Sequence, residues 1–232
     1  MRIRRLSHFG IAFSLIFTVL IMAEAYLGND GLIKSVPTTH KVISLTFDDG
    51  PHPDSTPKLL AILREKDVKA TMFVLGQSVD ENPALFAQMV ADGHEIGSHA
   101  YNHIFISKLN AKERAEQFEK AERSIMIAAP KPVLFRPPGG GYNDGVVQDA
   151  LRRGYRTVLW SIDTRDWSRP GVNQIVNHVM KKIKPGSIVL MHDGQYDLQT
   201  AAAVGVIIDR IRAEGYTLVT VGELLQYYEE RE

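Results

Sequence analysis

Lys41-Val42-Ile43-Ser44-Leu45-Thr46-Phe47-Asp48-Asp49-Gly50-Pro51 opens as a strand and ends on two adjacent carboxylates. Lys41 to Leu45 is aliphatic and β-branched, the composition of a buried strand. Gly50-Pro51 imposes a turn, so Asp48 and Asp49 stand where the strand must stop. A carboxylate is rarely buried without a partner. A cation is therefore expected opposite the pair: a metal, an arginine, or both. An isolated pair of this kind is better explained as a helix cap or a solvated loop. What the rest of the chain brings to the same place decides between them.

Working outward, strands and helices alternate. Helices are expected over 53–66, from Pro83 to Asp92, from Asn110 to about Ala128, from Asn143 to Gly154, over 172–182 and over 201–213. Asn110 followed by Glu113 resembles a capping box. Further strands are expected at 70–75, 94–98, 133–135, 156–162, 187–191 and 216–221. About seven strand–helix alternations argue for a parallel sheet with helical crossovers, either an open doubly wound sheet or a closed barrel. Both architectures place chemistry beyond the C-terminal ends of their strands.

The 232-residue chain is long enough for one substantial core, and 44% hydrophobic with 23% charged residues excludes a disordered chain. A formal net charge of zero gives no global reason to bind nucleic acid or anionic lipid. Cysteine is absent, so any metal must be held by His, Asp or Glu. Arg2, Arg4 and Arg5 precede an apolar run from Phe9 to Ala23, and Ala23-Glu24-Ala25 is a small-x-small pattern. Residues 1–25 therefore read as a secretory signal, with retention as an anchor in the cytoplasmic membrane as the alternative. Export places the protein in the periplasm, the cell envelope or outside the cell. Residues 26–40, with Gly28, Asn29, Asp30, Gly31 and Pro37, read as a linker, which leaves 41–232 as a single domain.

Chemistry-bearing residues gather just after strands. His99 and His103 follow the 94–98 strand, four apart, on one face of a helical turn from which both can reach one metal. His94 precedes that strand and reads as structural. Arg136 ends the 133–135 strand, placed to orient Asp48 and hold it ionised, and is followed by Pro137, Pro138 and three glycines. Gly139 to Gly141 leave backbone N–H groups able to face an oxyanion. Asp163-Thr164-Arg165-Asp166-Trp167 follows the next strand, and Leu190-Met191-His192 the one after, with Asp193 behind. Trp167 reads as a sugar platform or as simple packing.

Together these segments resemble the polysaccharide deacetylases, carbohydrate esterase family 4, with the NodB-homology domain. The resemblance spans roughly Lys41 to the C-terminus. It rests on five segments in order: 46–50, 99–103, 136–140, 163–167 and 190–192. It implies a distorted (β/α) barrel and a divalent metal, commonly zinc, with cobalt, manganese or nickel as alternatives. It further implies Asp49, His99 and His103 as ligands, Asp48 as general base and Arg136 orienting it. His192 would be the general acid, tuned by Asp166. The Gly139 N–H would face the oxyanion, and Trp167 and Leu190 would line the pocket for the acetyl methyl. Two positions depart from the family: Ala100 stands where Ser or Thr is usual, and Gly139 where Tyr is frequent.

The implied activity is removal of N-acetyl groups from peptidoglycan or chitooligosaccharides by a monomeric enzyme. An O-acetyl xylan esterase uses the same site. A non-catalytic glycan-binding module would have lost one of these side chains. A glycosidase using Asp48 and Asp49 needs carboxyls about 5 Å or more apart on opposite faces of the bond, a poor fit to adjacent residues.

Overall fold

The computed structural model describes residues 31–195 and 198–229. The signal or anchor expected over 1–25, and residues 26–30 of the expected linker, lie outside the described residues. Among the described residues, no helix is long and apolar enough to cross a membrane.

The strands are β1 (Leu32–Ile33), β2 (Val42–Asp48), β3 (Thr71–Val74), β4 (Glu95–Ser98), β5 (Leu134–Phe135), β6 (Arg156–Val158), β7 (Ile162–Asp163), β8 (Ile188–His192) and β9 (Thr217–Leu218). The helices are α1 (Ser55–Glu65), α2 (Gly76–Glu81), α3 (Pro83–Ala91), α4 (Ala111–Ile125), α5 (Asp144–Arg152), α6 (Val172–Lys182), α7 (Thr200–Ala213) and α8 (Val221–Leu224). The strand order is β1-β6-β5-β4-β3-β2-β8-β7, with β9 also on β2, and every strand pair is parallel. Every residue of β2 is buried, as expected of a central strand in a parallel sheet covered on both faces. Leu59, Leu60 and Leu63 of α1 and Val204, Ile207, Ile208 and Ile211 of α7 join Leu45, Phe47 and Met191 in the largest core cluster.

The sheet curls into the expected distorted barrel, and one segment explains the distortion. Residues 156–162, expected as one strand, are divided: β6 pairs with β5, whereas β7 pairs with β8. The chain switches partners at 159–161 and so bridges the two ends of the curled sheet. The carbonyls of Val158 and Leu159 at this break are taken by Arg136, whose Nε–H and Nη2–H donate to them at 3.2 and 2.9 Å.

Two other expectations need correction. The linker is not a linker throughout. Leu32–Ile33 pairs with β6, Ile33 and Val36 are fully buried, and Ser35 bridges to Ser187. The expected strand over 216–221 is cut to Thr217–Leu218, because the Thr220 hydroxyl accepts from the Glu223 N–H and starts α8. Gly76, just past the end of β3, opens α2. The Ser78 hydroxyl on this helix donates to the Asp49 carbonyl at 3.1 Å, and Asn82 just beyond it donates to the Pro51 carbonyl at 3.3 Å. These two bonds fasten the turn that follows the carboxylates.

Candidate active site

Asp48 and His192 occupy matched positions on neighbouring parallel strands, β2 and β8, and so project from the same side of the sheet. Asp49 would point the other way in a continuing strand. Its N–H still donates to the Phe73 carbonyl at 3.2 Å, but its φ of +78° turns the backbone there. Both carboxylates thereby line one cavity of about 480 Å³, with His99, His103, Gly139, Trp167, Leu190 and His192. Gly194 makes room from below: a Cβ there would lie 2.1 Å from that of Asp49.

Arg136 is fully buried with its positive charge, and it is compensated at every nitrogen. Besides the two carbonyls at the β6–β7 break, Nη1 donates to Asp48 Oδ1 at 2.6 Å and to the Thr46 hydroxyl at 2.8 Å. The guanidinium carbon stands 4.0 Å from the Phe73 ring centroid, within cation–π range. One side chain thus closes the barrel and fixes the orientation of Asp48.

His99 Nδ1 lies 2.7 Å from the Arg136 carbonyl, which can only accept, so Nδ1 carries the proton and Nε2 is left with a lone pair. Burial pulls the His99 pKa below its ordinary value despite the opposing charges of Asp48 and Asp49, which keeps the imidazole neutral. Asp49 Oδ1 lies 3.5 Å from Nε2 of both His99 and His103. It is buried and accepts no hydrogen bond among the described residues. An orphaned carboxylate oxygen facing two imidazole nitrogens is what a divalent cation satisfies, and ligand atoms of all three residues lie within 4.8 Å of one another. The donor set fits the implied metal. The segment between the histidines is not the expected helical turn but a loop, bent at Ala100, whose φ is +66°. The Ala100 side chain packs into an aromatic cluster with Phe118, Phe135 and Tyr155.

Asp166 grips His192 twice: Oδ1 lies 2.7 Å from Nδ1, and Oδ2 accepts the His192 backbone N–H at 2.8 Å. The Thr200 hydroxyl also donates to Oδ2, at 2.5 Å. Burial by itself would raise the Asp166 pKa, but the bonds from His192 and Thr200 outweigh it and hold the carboxyl below its ordinary range. Burial likewise works against the His192 imidazolium. The Asp166 bond and charge, reinforced by Asp48 and Asp49, overcome it and raise the pKa to about 9.

Gly140 and Gly141 use their N–H groups inside the turn, bonding the Pro137 and Pro138 carbonyls, which leaves Gly139 as the glycine of the three that lines the cavity. His94 lies elsewhere, accepting the Ala70 N–H on Nδ1, and its burial lowers its pKa to about 4. Asp163, the first residue of the 163–167 segment, also lines the cavity, as do Phe105, Trp160 and Gln195, which were not assigned there from sequence. Trp160 sits in a run that reads as ordinary strand core. Phe105 had a signal, as the second of two large apolar residues immediately after His103.

Comparison with known proteins places these observations. The family model for polysaccharide deacetylase matches residues 35–158. A peptidoglycan-N-acetylglucosamine deacetylase from Bacillus cereus is 46% identical over 195 residues, covering 83% of this chain and 92% of that protein. A chitooligosaccharide deacetylase from Sinorhizobium fredii is 37% identical over 189 residues, covering 76% of this chain and 88% of that protein. The crystal structure of the Bc1960 peptidoglycan N-acetylglucosamine deacetylase superposes with a TM-score of 0.84 at 32% identity, covering 89% of this chain and 98% of that one. By sequence, by fold and by the ordered convergence of its strand-end side chains, the chain belongs to the polysaccharide deacetylase family.

Proposed function

We infer that this enzyme hydrolyses N-acetyl groups on an N-acetylated glycan, peptidoglycan or chitooligosaccharide, and that Asp48 and His192 move the protons. One observation carries the reading: an unpaired, buried Asp49 oxygen faces His99 and His103 in the cavity that also receives Asp48 and His192. The two relatives described above support the substrate class, and the higher identity to the Bacillus cereus enzyme favours peptidoglycan.

Asp49, His99 and His103 would hold a divalent metal, zinc by the chemistry of two imidazoles and a carboxylate. When bound, such an ion supplies a Lewis acid that polarises the acetyl carbonyl and acidifies water. Asp48, oriented by Arg136, accepts the proton of the attacking water. The Gly139 N–H faces the oxygen on which negative charge develops. His192, kept protonated by Asp166, delivers a proton to the departing amine nitrogen. Base and acid, on adjacent strands, flank one carbonyl carbon. Trp167 and Leu190 bound the space for the acetyl methyl. A cell-envelope substrate also fits the export expected from residues 1–25.

Acetate release from peptidoglycan, from N-acetylglucosamine oligomers of several lengths and from acetylxylan tests this directly. The expected result is acetate with a matching gain of free amine from one of the first two. Release confined to acetylxylan would assign the site to O-acetyl esters instead.

A further inference from the structure

Phe105 lies two residues beyond His103 and lines the same cavity, yet it is 50% exposed. Leaving a phenyl ring half uncovered forgoes much of the stabilisation that its burial would contribute. The ring is nevertheless seated. A Cβ on Gly139 would come within 2.8 Å of its Cε1, and one on Gly141 within 3.2 Å of its Cδ1. Gly139 adopts φ +61°, so this contact is made at a position where a side chain is disfavoured by backbone as well as by space. The neighbouring backbone is anchored too. Ile106 is fully buried and starts a 3₁₀ turn, Ile106–Lys108, and Asn143 donates to the Ser107 carbonyl at 3.0 Å. The Lys108 ammonium stands 5.1 Å from the ring centroid. Trp167, the other half-exposed aromatic on the cavity wall, comes from the loop after β7.

We propose that Phe105 is a substrate-positioning residue, the platform on which the pyranose ring next to the sugar being deacetylated stacks; this rests on the glycan reading above. An aromatic face carries excess negative charge and attracts the weakly positive C–H groups of a sugar's apolar face, and a seated ring loses little freedom on binding. Phe105 has no proton to exchange and no lone pair to offer. Its contribution therefore falls on binding and on preference for chain length, not on the chemical step.

The test compares native enzyme, Phe105→Ala and Phe105→Trp on N-acetylglucosamine and its dimer and tetramer. Phe105→Ala is expected to raise KM for the tetramer about 3- to 10-fold with kcat nearly unchanged, as loss of one stacking contact implies. The variant should lose the native gain in kcat/KM with chain length, and Phe105→Trp should restore it. An unchanged tetramer KM, or a fall in kcat at constant KM, would overturn the assignment. If the native enzyme releases acetate from no glycan, the deacetylase reading fails on its own. Calorimetric titration of the tetramer then decides the platform separately: weaker binding to Phe105→Ala supports it and equal binding removes it.

Discussion

Asp48 faces His192 across β2 and β8, and each is hydrogen-bonded by a buried charged partner, Arg136 for the carboxylate and Asp166 for the imidazole. That symmetry makes the two roles separable by substitution. Asp48→Asn retains an oxygen to accept from Arg136 but cannot take a proton. We expect kcat to fall about 10²- to 10⁴-fold with metal content unchanged by elemental analysis. Near-native turnover in that variant would remove Asp48 from the base role. For His192 the sign of the pH effect follows from its surroundings. Burial lowers its pKa, and Asp166 outweighs burial to raise it to about 9, so the imidazolium persists through neutral pH and is lost above. A cation held at Asp49 disfavours the imidazolium, so in the loaded enzyme the alkaline limb of kcat/KM lies below that value. Asp166→Asn removes the largest raising influence and leaves burial opposed only by the charges of Asp48 and Asp49. Its alkaline limb should move to lower pH than the native one under the same metal loading. Coincident limbs in the two pH–rate profiles would uncouple Asp166 from the acid.

At the scale of elements, α4 reaches the site without lining its cavity. Asn110 forms the expected capping box: its side-chain oxygen accepts from the Lys112 and Glu113 N–H groups, and the Glu113 carboxylate accepts the Asn110 N–H. One helical stretch further on, Gln117 Oε1 accepts the backbone N–H groups of both Tyr101 and Asn102, each at 3.2 Å. These lie in the loop between His99 and His103, so a buried amide on α4 sets the spacing of the two imidazoles. Gln117→Ala should weaken metal affinity about 10- to 100-fold, the range for loss of groups that orient ligands, while far-UV circular dichroism stays native. Affinity measured by competition with a chelator checks this, and an unaltered value would confine Gln117 to packing. The same helix shows what was legible in the sequence. A cap, an amphipathic run and strands of β-branched residues are local, and they were readable. The partner switch between β6 and β7 was not. Thr157, Val158, Leu159 and Trp160 are as strand-like before the break as after it, and only Arg136, twenty residues earlier or more, marks where the carbonyls lack a strand. The buried start of the domain failed for a related reason. Gly31 and Pro37 look like loop, and what makes Leu32–Ile33 a strand is an edge of β6 supplied from far along the chain. The site was more legible than the fold's irregularities, because reactive side chains declare themselves by type. Trp160 carries no such declaration, and only geometry places it on the cavity wall.

At the scale of the whole molecule, the candidate metal ligands connect the end of β2 to the loop after β4, across β3, at one mouth of the barrel. In the absence of a cation this mouth concentrates negative charge. Asp48 and Asp49 adjoin, and the fully buried Asp193 packs behind Gly50, its pKa raised by burial to about 7 despite bonds from Thr56 and Ser55. An ion that binds only the folded chain stabilises it by mass action, about 2.7 kcal/mol at one hundred times its Kd. For a domain of this size that corresponds to a rise in Tm of roughly 5–10 °C on adding zinc, reversed by a chelator. The variants give the result its meaning. His99→Ala removes a buried ligand and should abolish the zinc-dependent shift. His192→Ala removes a side chain at the same mouth that is bound to Asp166, not to Asp49, and should keep the shift while losing turnover. Should His192→Ala lose the shift and His99→Ala retain it, the ligand set would have to be redrawn around β8. Scanning calorimetry with and without chelator distinguishes these outcomes without recourse to activity, so the metal centre can be tested even where the glycan is still unidentified.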